Sequence, residues 1–257
     1  MKSRTAIQTL LLLLLSAAYA FVAGAEPSYR LVYQKTVDDR LSAISYAEYE
    51  GGGKIVSIMT VNPLTATFKV VYGNPPKSIS RFHNENPRAL LTVNGGYWDQ
   101  NHQPTDLCVA SGRLIKPVNT LNRHFGLFAV RRSGEVVIAD LQGNPLTAAD
   151  IDDFDHALKS GPYLVRNGKP VTLNSLTSHI RTVLARDDAE NVLFIVNRAG
   201  TMTYSEMTAF LLHAGLGVIE AFNLDGGSSS GFALDRGSGM IIKESRPVAN
   251  VIQVEKN

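Results

Sequence analysis

The residues with the clearest chemical content are a carboxylate, two glycines and three serines in a row, Asp225-Gly226-Gly227-Ser228-Ser229-Ser230. They follow an apolar segment, residues 218–222, that is typical of a buried strand. Adjacent glycines allow a sharp turn and a close approach of the backbone to a ligand. Successive free N–H groups in such a turn can bind an anion, and the hydroxyls add donors. The pattern indicates a carboxylate beside an anion site, suited to hydrolysing a phosphorylated substrate; a tight turn with an Asx-type cap is the structural alternative.

A second polar residue followed by two glycines, Asn94-Gly95-Gly96, comes after the apolar residues 90–93. Ligands tend to lie beyond strand ends, where loops carry function on a rigid support. Two such turns in one chain favour loops that converge on one ligand, and two unrelated turns are the alternative. The next residues, Tyr97 and Trp98, could stack on sugar rings, although aromatic residues beside an apolar strand are more often part of the core.

Arg181 lies within an apolar segment, residues 180–184. A guanidinium in such surroundings needs an anionic partner, because an unpaired buried charge is costly. The partner is either a structural carboxylate or a substrate phosphate, which the planar guanidinium can bind through two N–H groups. Ser160-Gly161 is a further candidate for a ligand-facing loop, ahead of a hairpin turn at Asn167-Gly168.

The segments around these residues have mostly strand patterns, separated by Gly, Asp and Asn-Pro breakers. The predicted strands are residues 30–36, 41–49, 54–61, 67–72, 89–93, 125–131, 135–139, 179–186 and 191–196. Because strands outnumber helices and do not alternate regularly with them, we expect one α+β domain with a mixed, strand-rich sheet flanked by a few helices.

Three helices are predicted, the first and shortest over residues 78–84. A capping arrangement at residues 147–150 is followed by Ile151, Phe154 and Leu158, which would share one helical face. A better capping box at residues 203–206 precedes apolar residues at helical spacing, and Gly215 and Gly217 provide the stop.

The N-terminus has the pattern of a cleaved secretory signal over residues 1–25, with Lys2 and Arg4 ahead of six leucines and an Ala-Gly-Ala tail before Glu26. The apolar stretch is marginal for a membrane span, which needs about 20 residues. We therefore expect a periplasmic or extracellular protein without a stable membrane anchor. Its formal charge falls from +2 to zero when both N-terminal cations are removed.

Several classes of partner have no support in the composition. No basic patch suggests nucleic acid, and no histidine or cysteine spacing suggests zinc. A cofactor is not predicted, and a divalent cation is compatible with the sequence but not indicated. Cys108 is the single cysteine, so it forms no intramolecular disulfide. The sequence does not indicate an oligomeric state.

Four segments resemble, in order, blocks of the phosphodiester glycosidase family, the family of the lysosomal uncovering enzyme: Asn94-Gly95-Gly96-Tyr97-Trp98, Ser160-Gly161-Pro162 with Asn167-Gly168, Arg181-Thr182, and Asn223-Leu224-Asp225-Gly226-Gly227-Ser228-Ser229. The resemblance lies within residues 90–235 and identifies residues 26–257 as a phosphodiester glycosidase-like domain. The chain departs from the family pattern at Asp106 and Ala185, where the family usually has glycine. Both were expected near the pocket, where they would bear on the substrate more than on the fold.

The resemblance implies hydrolysis of a glycosidic bond to phosphate, in a sugar phosphodiester of an envelope or extracellular glycan. A phosphate leaving group needs little protonation, so a second carboxylate is dispensable. Asp225 is then the nucleophile, the base or the electrostatic stabiliser of the sugar cation, with Arg181 and Asn94 as the other catalytic residues. The expected substrate-binding residues are Gly95, Gly96, Tyr97, Ser160, Gly226, Gly227 and Ser228.

Three other functions are compatible with the sequence. A serine hydrolase could use Ser228 or Ser229, but it lacks the usual nucleophile elbow and a placed histidine. A metal-dependent phosphatase could use Asp225, Asp187 and Asp99, which show no ligand spacing. A non-catalytic polysaccharide-binding protein would keep the pocket without the chemistry.

We predict that the exported protein begins near Glu26, because the small-residue tail after a short leucine core is a cleavage pattern. Intact-mass analysis of the exported protein tests this. A membrane-bound product that retains residues 1–25 would contradict it.

Overall fold

The computed structural model describes residues 28–36, 44–122, 124–237 and 239–256, so the predicted signal peptide lies outside the described residues. The strands are β1 Arg30–Thr36, β2 Ile44–Gly51, β3 Lys54–Val61, β4 Ala66–Lys77, β5 Ala89–Asn94, β6 Cys108–Ala110, β7 Arg113–Lys116, β8 Gly126–Arg131, β9 Val136–Asp140, β10 Phe154–Ser160, β11 Tyr163–Arg166, β12 Lys169–Pro170, β13 Thr182–Asp187, β14 Val192–Ala199, β15 Val218–Asn223, β16 Phe232–Asp235, β17 Met240–Lys243 and β18 Val248–Lys256. The helices are α1 Ile79–Asn84, α2 Ala148–Asp152 and α3 Tyr204–His213, and a 3-10 turn covers Gly227–Ser229.

The strands form three sheets, one of eight strands and two of five. Their orders are β1-β2-β3-β14-β13-β15-β11-β12, β7-β6-β10-β8-β9 and β17-β16-β5-β18-β4. The strand-rich architecture with few helices agrees with the sequence, but the expectation of a mixed sheet was wrong. Every strand pair in the described ranges is antiparallel. Antiparallel pairs can be joined by short turns, so this chain does not need the helical crossovers of parallel strands.

The eight-stranded sheet is apolar on both faces, as β14 shows. Val192, Phe194 and Val196 belong to a core shared with the two smaller sheets, whereas Leu193 and Ile195 belong to a second cluster that includes α3. Side chains alternate between the two faces of a strand, so a continuous apolar run indicates burial on both sides. The central strands of this sheet are therefore a rigid support for the loops at their ends.

Ten of the eighteen strands lie where the sequence predicts them, and β11 and β12 form the hairpin predicted at Asn167-Gly168. No strand was predicted at β6, β7, β10, β16, β17 or β18. The strand predicted over residues 54–61 has those bounds, and the strands predicted over residues 125–131 and 135–139 are β8 and β9, which pair with each other. The predicted first helix is α1, capped by Ser78, and the capping box of α3 joins Thr203 and Glu206 reciprocally. Part of the predicted strand 41–49, residues 41–43, lies outside the described residues.

The second predicted helix is wrong beyond its first turn. Thr147 and Asp150 form the capping box, but α2 ends at Asp152. Phe154 and Leu158 lie instead in β10, which pairs with β8 and has an irregular register between residues 154 and 156. A spacing of four residues fits one face of a strand as well as one face of a helix, and pairing with β8 decides between them.

A buried ion pair fixes two loops against β10. Lys159 Nζ lies 3.1 Å from Asp106 Oδ2, and both side chains are almost fully buried. Asp106 Oδ1 accepts hydrogen bonds from the backbone N–H of Leu107 at 2.9 Å and of Asn119 at 3.0 Å. The pair thus joins the β5–β6 and β7–β8 connections to one strand.

Within the described ranges, no helix combines the length and the apolar character that crossing a membrane requires.

We expect Asp106→Asn to lower the free energy of unfolding by about 3 kcal/mol, because it leaves the Lys159 ammonium buried without its counter-ion. Glu135→Gln is the control, since it breaks an ion pair with Arg131 in which the Glu135 side chain is 65% exposed. That change should cost less than about 0.5 kcal/mol. Urea unfolding followed by circular dichroism compares the two, and equal effects would show that the buried pair contributes no more than a surface one.

Candidate active site

The two glycine-pair turns are hydrogen-bonded to each other. Asp225 N donates to Gly95 O at 3.0 Å, and Asn94 Nδ2 donates to Asp225 O at 2.8 Å. β5 ends at Asn94 in one five-stranded sheet, and β15 ends just before Asp225 in the eight-stranded sheet. The convergence expected from the sequence therefore takes place between the ends of two strands from different sheets.

Asn94 is fully buried, and both polar atoms of its side-chain amide form hydrogen bonds within the protein. Besides its bond to Asp225, its Oδ1 accepts from Thr182 Oγ1 at 2.8 Å and from Gly231 N at 3.1 Å. Gly95 is equally enclosed, because a Cβ on it would lie 2.1 Å from Asn250 Oδ1. Both residues hold the turn in place, and neither is among the residues that line the pocket in front of it.

A pocket of about 460 Å³ opens in front of these turns. It is lined by Tyr97, Thr177, His179, Arg181, Tyr204, Asp225, Gly226, Gly227 and Ser228. Arg181 and Asp225, far apart in sequence, thus face one cavity, whereas Asn94, the third predicted catalytic residue, is buried and is not among the lining residues.

Two of the expected substrate-binding residues lie behind the pocket wall. Gly96 is buried, and its carbonyl accepts from Asn250 Nδ2 at 3.2 Å. Ser160 is fully buried at the end of β10, and its hydroxyl has no hydrogen-bond partner among the described residues. Neither residue lines the pocket, so their contribution is to packing behind it.

The Asp225 carboxyl is mostly enclosed, and burial raises its pKa above the ordinary value. Hydrogen bonding by the Ser229 hydroxyl and the Gly226 N–H, the charge of Arg246 and the Trp98 indole N–H act in the opposite direction. Gly226 N donates to Asp225 Oδ1 at 2.9 Å. The result is an acid placed in a cleft with a perturbed pKa, which is characteristic of functional carboxyl groups.

Arg181 is 4% exposed, and its bonds within the protein are to carbonyl groups. Nε donates to Met202 O at 3.0 Å and Nη2 to Thr177 O at 2.7 Å, while the guanidinium carbon lies 3.8 Å from the ring centroid of Tyr204. No carboxylate among the described residues forms an ion pair with it. Of the two partners considered for Arg181, the structural carboxylate is therefore missing from the described part of the chain, and its charge lines the pocket uncompensated.

The backbone N–H groups of the two glycines are not free to form the expected anion site. Gly226 N is bonded to Asp225, and Gly227 N donates to Ile180 O at 2.7 Å. Gly227 has a φ of +62°, which favours glycine over other residues. Ser228 is exposed at the pocket, and its N–H and hydroxyl have no acceptor among the described residues.

Tyr97 lines the pocket and is held at its hydroxyl and at one ring face. Its hydroxyl donates to Gly161 O at 2.9 Å and accepts from Asn223 Nδ2 at 2.9 Å. Its ring stacks on His124 with centroids 5.0 Å apart. Because its hydroxyl is fixed by the protein, Tyr97 offers the pocket a positioned aromatic surface.

Three residues at the site carry no signal in the sequence. Tyr204 is simply the first residue of α3, yet it supports the Arg181 guanidinium. His179 lines the pocket from an irregular segment before β13. Arg246 lies between β17 and β18, with its guanidinium carbon 4.8 Å from the Trp98 ring centroid and its Nε 3.1 Å from Ser229 Oγ.

A family model described as phosphodiester glycosidase matches residues 87–255. The chain belongs to the phosphodiester glycosidase family. The matched range contains every residue that lines the pocket. This membership confirms the resemblance seen in the sequence and supports hydrolase activity.

Individual relatives match most of the chain in sequence or in structure. Uncharacterized protein YigE of Escherichia coli K12 is 25% identical over 217 residues, covering 78% of this chain and 82% of that protein. The catalytic domain of zebrafish N-acetylglucosamine-1-phosphodiester alpha-N-acetylglucosaminidase, auto-inhibited by its pro-peptide, is 16% identical with a TM-score of 0.64, covering 92% of this chain and 85% of that one. A hypothetical protein from Synechocystis has the same identity and TM-score, covering 91% and 64%.

The two departures from the phosphodiester glycosidase pattern lie outside the pocket lining. Asp106 pairs with Lys159, and Ala185 is fully buried in β13 within the cluster that includes α3. Neither residue lines the pocket, so neither contacts its interior directly. They are positions of packing and ion pairing in this member of the family.

The geometry of this phosphodiester glycosidase does not favour the other hydrolytic mechanisms. Asp187 and Asp99 accept hydrogen bonds from N–H groups in their own turns. Across the ranges that the structure describes, no group of three His, Cys, Asp or Glu residues could hold a metal. Ser228 and Ser229 have no hydrogen bond to a histidine there.

We expect Asp225→Asn to melt at the same temperature as the wild type or higher at pH 7. The raised pKa means that the native state binds the proton more tightly than the unfolded state does. Stability is therefore lost as pH rises from the ordinary Asp pKa through the raised one, and the variant escapes that loss. Thermal melts from pH 4 to pH 8 should show the advantage of the variant shrinking towards acid.

Asp187→Asn is the matched control, because the Asp187 carboxylate accepts three hydrogen bonds in its own turn. It should lower the melting temperature. A lower melting temperature for Asp225→Asn as well would show that the hydrogen bonds of Asp225 outweigh the cost of its burial.

Proposed function

We propose that this protein is an exported phosphodiester glycosidase that hydrolyses the bond between a sugar C1 and a phosphate oxygen, in the periplasm or outside the cell. The observation that carries the proposal is that the Asp225 carboxylate and the unpaired Arg181 guanidinium face one pocket. The substrate would be a sugar phosphodiester of an envelope or extracellular glycan. No metal or cofactor is assigned a step.

The charges of the pocket suit an anionic substrate. Among the residues that the structure describes, Asp225 is the single carboxylate in the lining and Arg181 has no ion-pair partner. Arg246 adds a second cation behind Ser229. Within a mostly desolvated site these charges act more strongly than in water. The zebrafish relative is named for cleaving N-acetylglucosamine from a phosphodiester, which is the chemistry we assign to this pocket.

The residues divide into two groups around the bond that breaks. Arg181, through its free Nη1, and Ser228, through its N–H and hydroxyl, would bind the phosphate oxygens. Asp225 would face C1 and stabilise the positive charge that develops on the sugar, as nucleophile or as electrostatic partner. The C1–O bond breaks, the electron pair leaves with the phosphate, and a water oxygen becomes the new substituent of C1.

One carboxylate is enough for this reaction. A phosphate monoester leaves as a weak base, so its oxygen does not need protonation by a general acid. The proton of the attacking water passes to solvent or to the Asp225 carboxylate. Tyr97 provides an apolar surface for the sugar ring, since its hydroxyl is occupied by Gly161 and Asn223.

We expect Asp225→Ala to lose turnover of an aryl glycosyl phosphodiester by on the order of 10³-fold, the size of effect seen when a transition-state charge loses its partner. In the wild type, activity should fall as pH drops through the pKa of Asp225, which burial places above the ordinary value of about 3.9. A variant that kept full turnover would remove Asp225 from the mechanism. Binding without turnover in the wild type would identify a polysaccharide-binding protein instead.

We expect Arg181→Lys to weaken binding of a sugar phosphate, because Lys keeps the charge but loses the planar group of donors. Its melting temperature should stay within a few degrees of wild type, because the lost partners are carbonyl groups and not a buried carboxylate. Sugar phosphate should raise the melting temperature of the wild type in proportion to its concentration, and this rise should vanish in the variant.

Arg166→Lys is the control, since Arg166 pairs with Asp140 outside the pocket lining. It should keep the stabilisation by sugar phosphate. If Arg181→Lys kept it too, while melting at a lower temperature, Arg181 would belong to the scaffold.

A further inference from the structure

A second pocket, of about 530 Å³, lies outside the site at Asp225. Its lining is largely polar and includes Tyr72, Asn74, Gln103 and Arg113, with Leu114 and Ile115 of β7. No acidic side chain is among the residues that line it. The pocket therefore combines an aromatic residue, two amides and one cation.

Two residues of this lining, Tyr72 and Gln103, are held by hydrogen bonds within the protein. Tyr72 Oη donates to His102 O at 3.1 Å and accepts from Gln103 Nε2 at 2.8 Å. Gln103 N donates to Asp99 Oδ1 at 3.0 Å, and Asp99 N donates to Gln103 O at 2.9 Å. Tyr72 and Gln103 thus form a rigid wall, which lowers the entropic cost of binding.

The other polar groups of the lining are unpaired. The Asn74 amide and the Arg113 guanidinium form no hydrogen bond or ion pair with any residue that the structure describes. Sugar hydroxyls require donors and acceptors together, which an amide supplies, and an aromatic ring packs against the apolar face of a sugar. This combination suits a glycan, and Arg113 favours one that carries anionic groups.

One hairpin, residues 97–105, contributes lining residues to both pockets. Thr105 N donates to Tyr97 O at 3.0 Å, and Trp98 forms a bridge with Pro104. The centroid of the Trp98 ring lies 5.7 Å from that of the His102 ring. The hairpin therefore contributes Tyr97 to one pocket and Gln103 to the other.

We infer that the second pocket binds the glycan chain that continues from the scissile phosphate, a chain with anionic substituents. The inference rests on the proposed function for the identity of the substrate. Asn74 and Gln103 bond the sugar hydroxyls, Tyr72 packs against a sugar ring, and Arg113 pairs with an anionic group of the chain. The enzyme would then prefer an oligosaccharyl phosphodiester to a small one.

The test compares the double variant Asn74→Ala/Arg113→Ala with wild type. Neither side chain bonds the rest of the fold, so the variant should remain folded. The control is Arg132→Ala/Asn144→Ala, which removes the same two residue types from exposed positions that line neither pocket. Calorimetry measures binding of chitotetraose with and without a 6-phosphate, and kinetics compare an aryl with a tetrasaccharyl phosphodiester.

We expect the phosphorylated tetrasaccharide to bind the wild type more tightly than the neutral one. The double variant should bind it about tenfold more weakly, the loss that one or two hydrogen bonds to a charged group explain. KM for the tetrasaccharyl substrate should rise by a similar factor, while kcat and KM for the aryl substrate stay unchanged. The control should match wild type throughout.

Equal binding by wild type and double variant, or no binding of either tetrasaccharide at millimolar concentration, would overturn the inference. Equal affinity for the neutral and the phosphorylated tetrasaccharide would overturn the role of Arg113. If no phosphodiester is hydrolysed but the variant still loses tetrasaccharide binding, the proposed function fails and the glycan site stands.

Discussion

The side-chain amide of Asn94 is the interaction on which the site depends. It donates to Asp225 O and accepts from Thr182 Oγ1 and Gly231 N, so it joins three segments that lie far apart in the chain. It is fully buried, and a buried polar group without its partners would cost the whole of its lost hydration. These bonds therefore fix where Asp225 lies relative to β13 and β16, and with it the catalytic carboxylate that we propose.

The pocket in front of Asn94 has a charge arrangement that favours function over stability. Burial raises the pKa of Asp225, and Arg181 lies among carbonyl groups and the Tyr204 ring without a carboxylate to pair with it. Both groups would be better satisfied by a substrate that brings a phosphate and a developing positive charge. Sites that are poised in this way commonly reduce the stability of the free protein.

The antiparallel sheets explain why such a site can be held rigidly by loops. The ends of β5 and β15 come from different sheets, and their shared core leaves little freedom between them. α3 contributes to the site through its first residue, Tyr204. The capping box at Thr203 fixes the start of the helix and so holds the Tyr204 ring against the Arg181 guanidinium. The position of the Arg181 guanidinium thus depends both on local helix capping at Thr203 and on long-range packing against Tyr204.

The sequence by itself determined the features that depend on neighbouring residues: ten of the eighteen strands, the capping boxes, the glycine turns and the candidate catalytic carboxylate Asp225. Tertiary structure decided the antiparallel pairing, the strand at Phe154, the burial of Ser160 and the supporting roles of Tyr204 and Arg246. The sequence predicts that the Gly227 N–H binds an anion, but in the folded chain this N–H donates to the carbonyl oxygen of Ile180. The physical reason is that periodicity and turn chemistry act within a few residues, whereas burial and the choice of hydrogen-bond partner are set by segments that meet only in the folded chain.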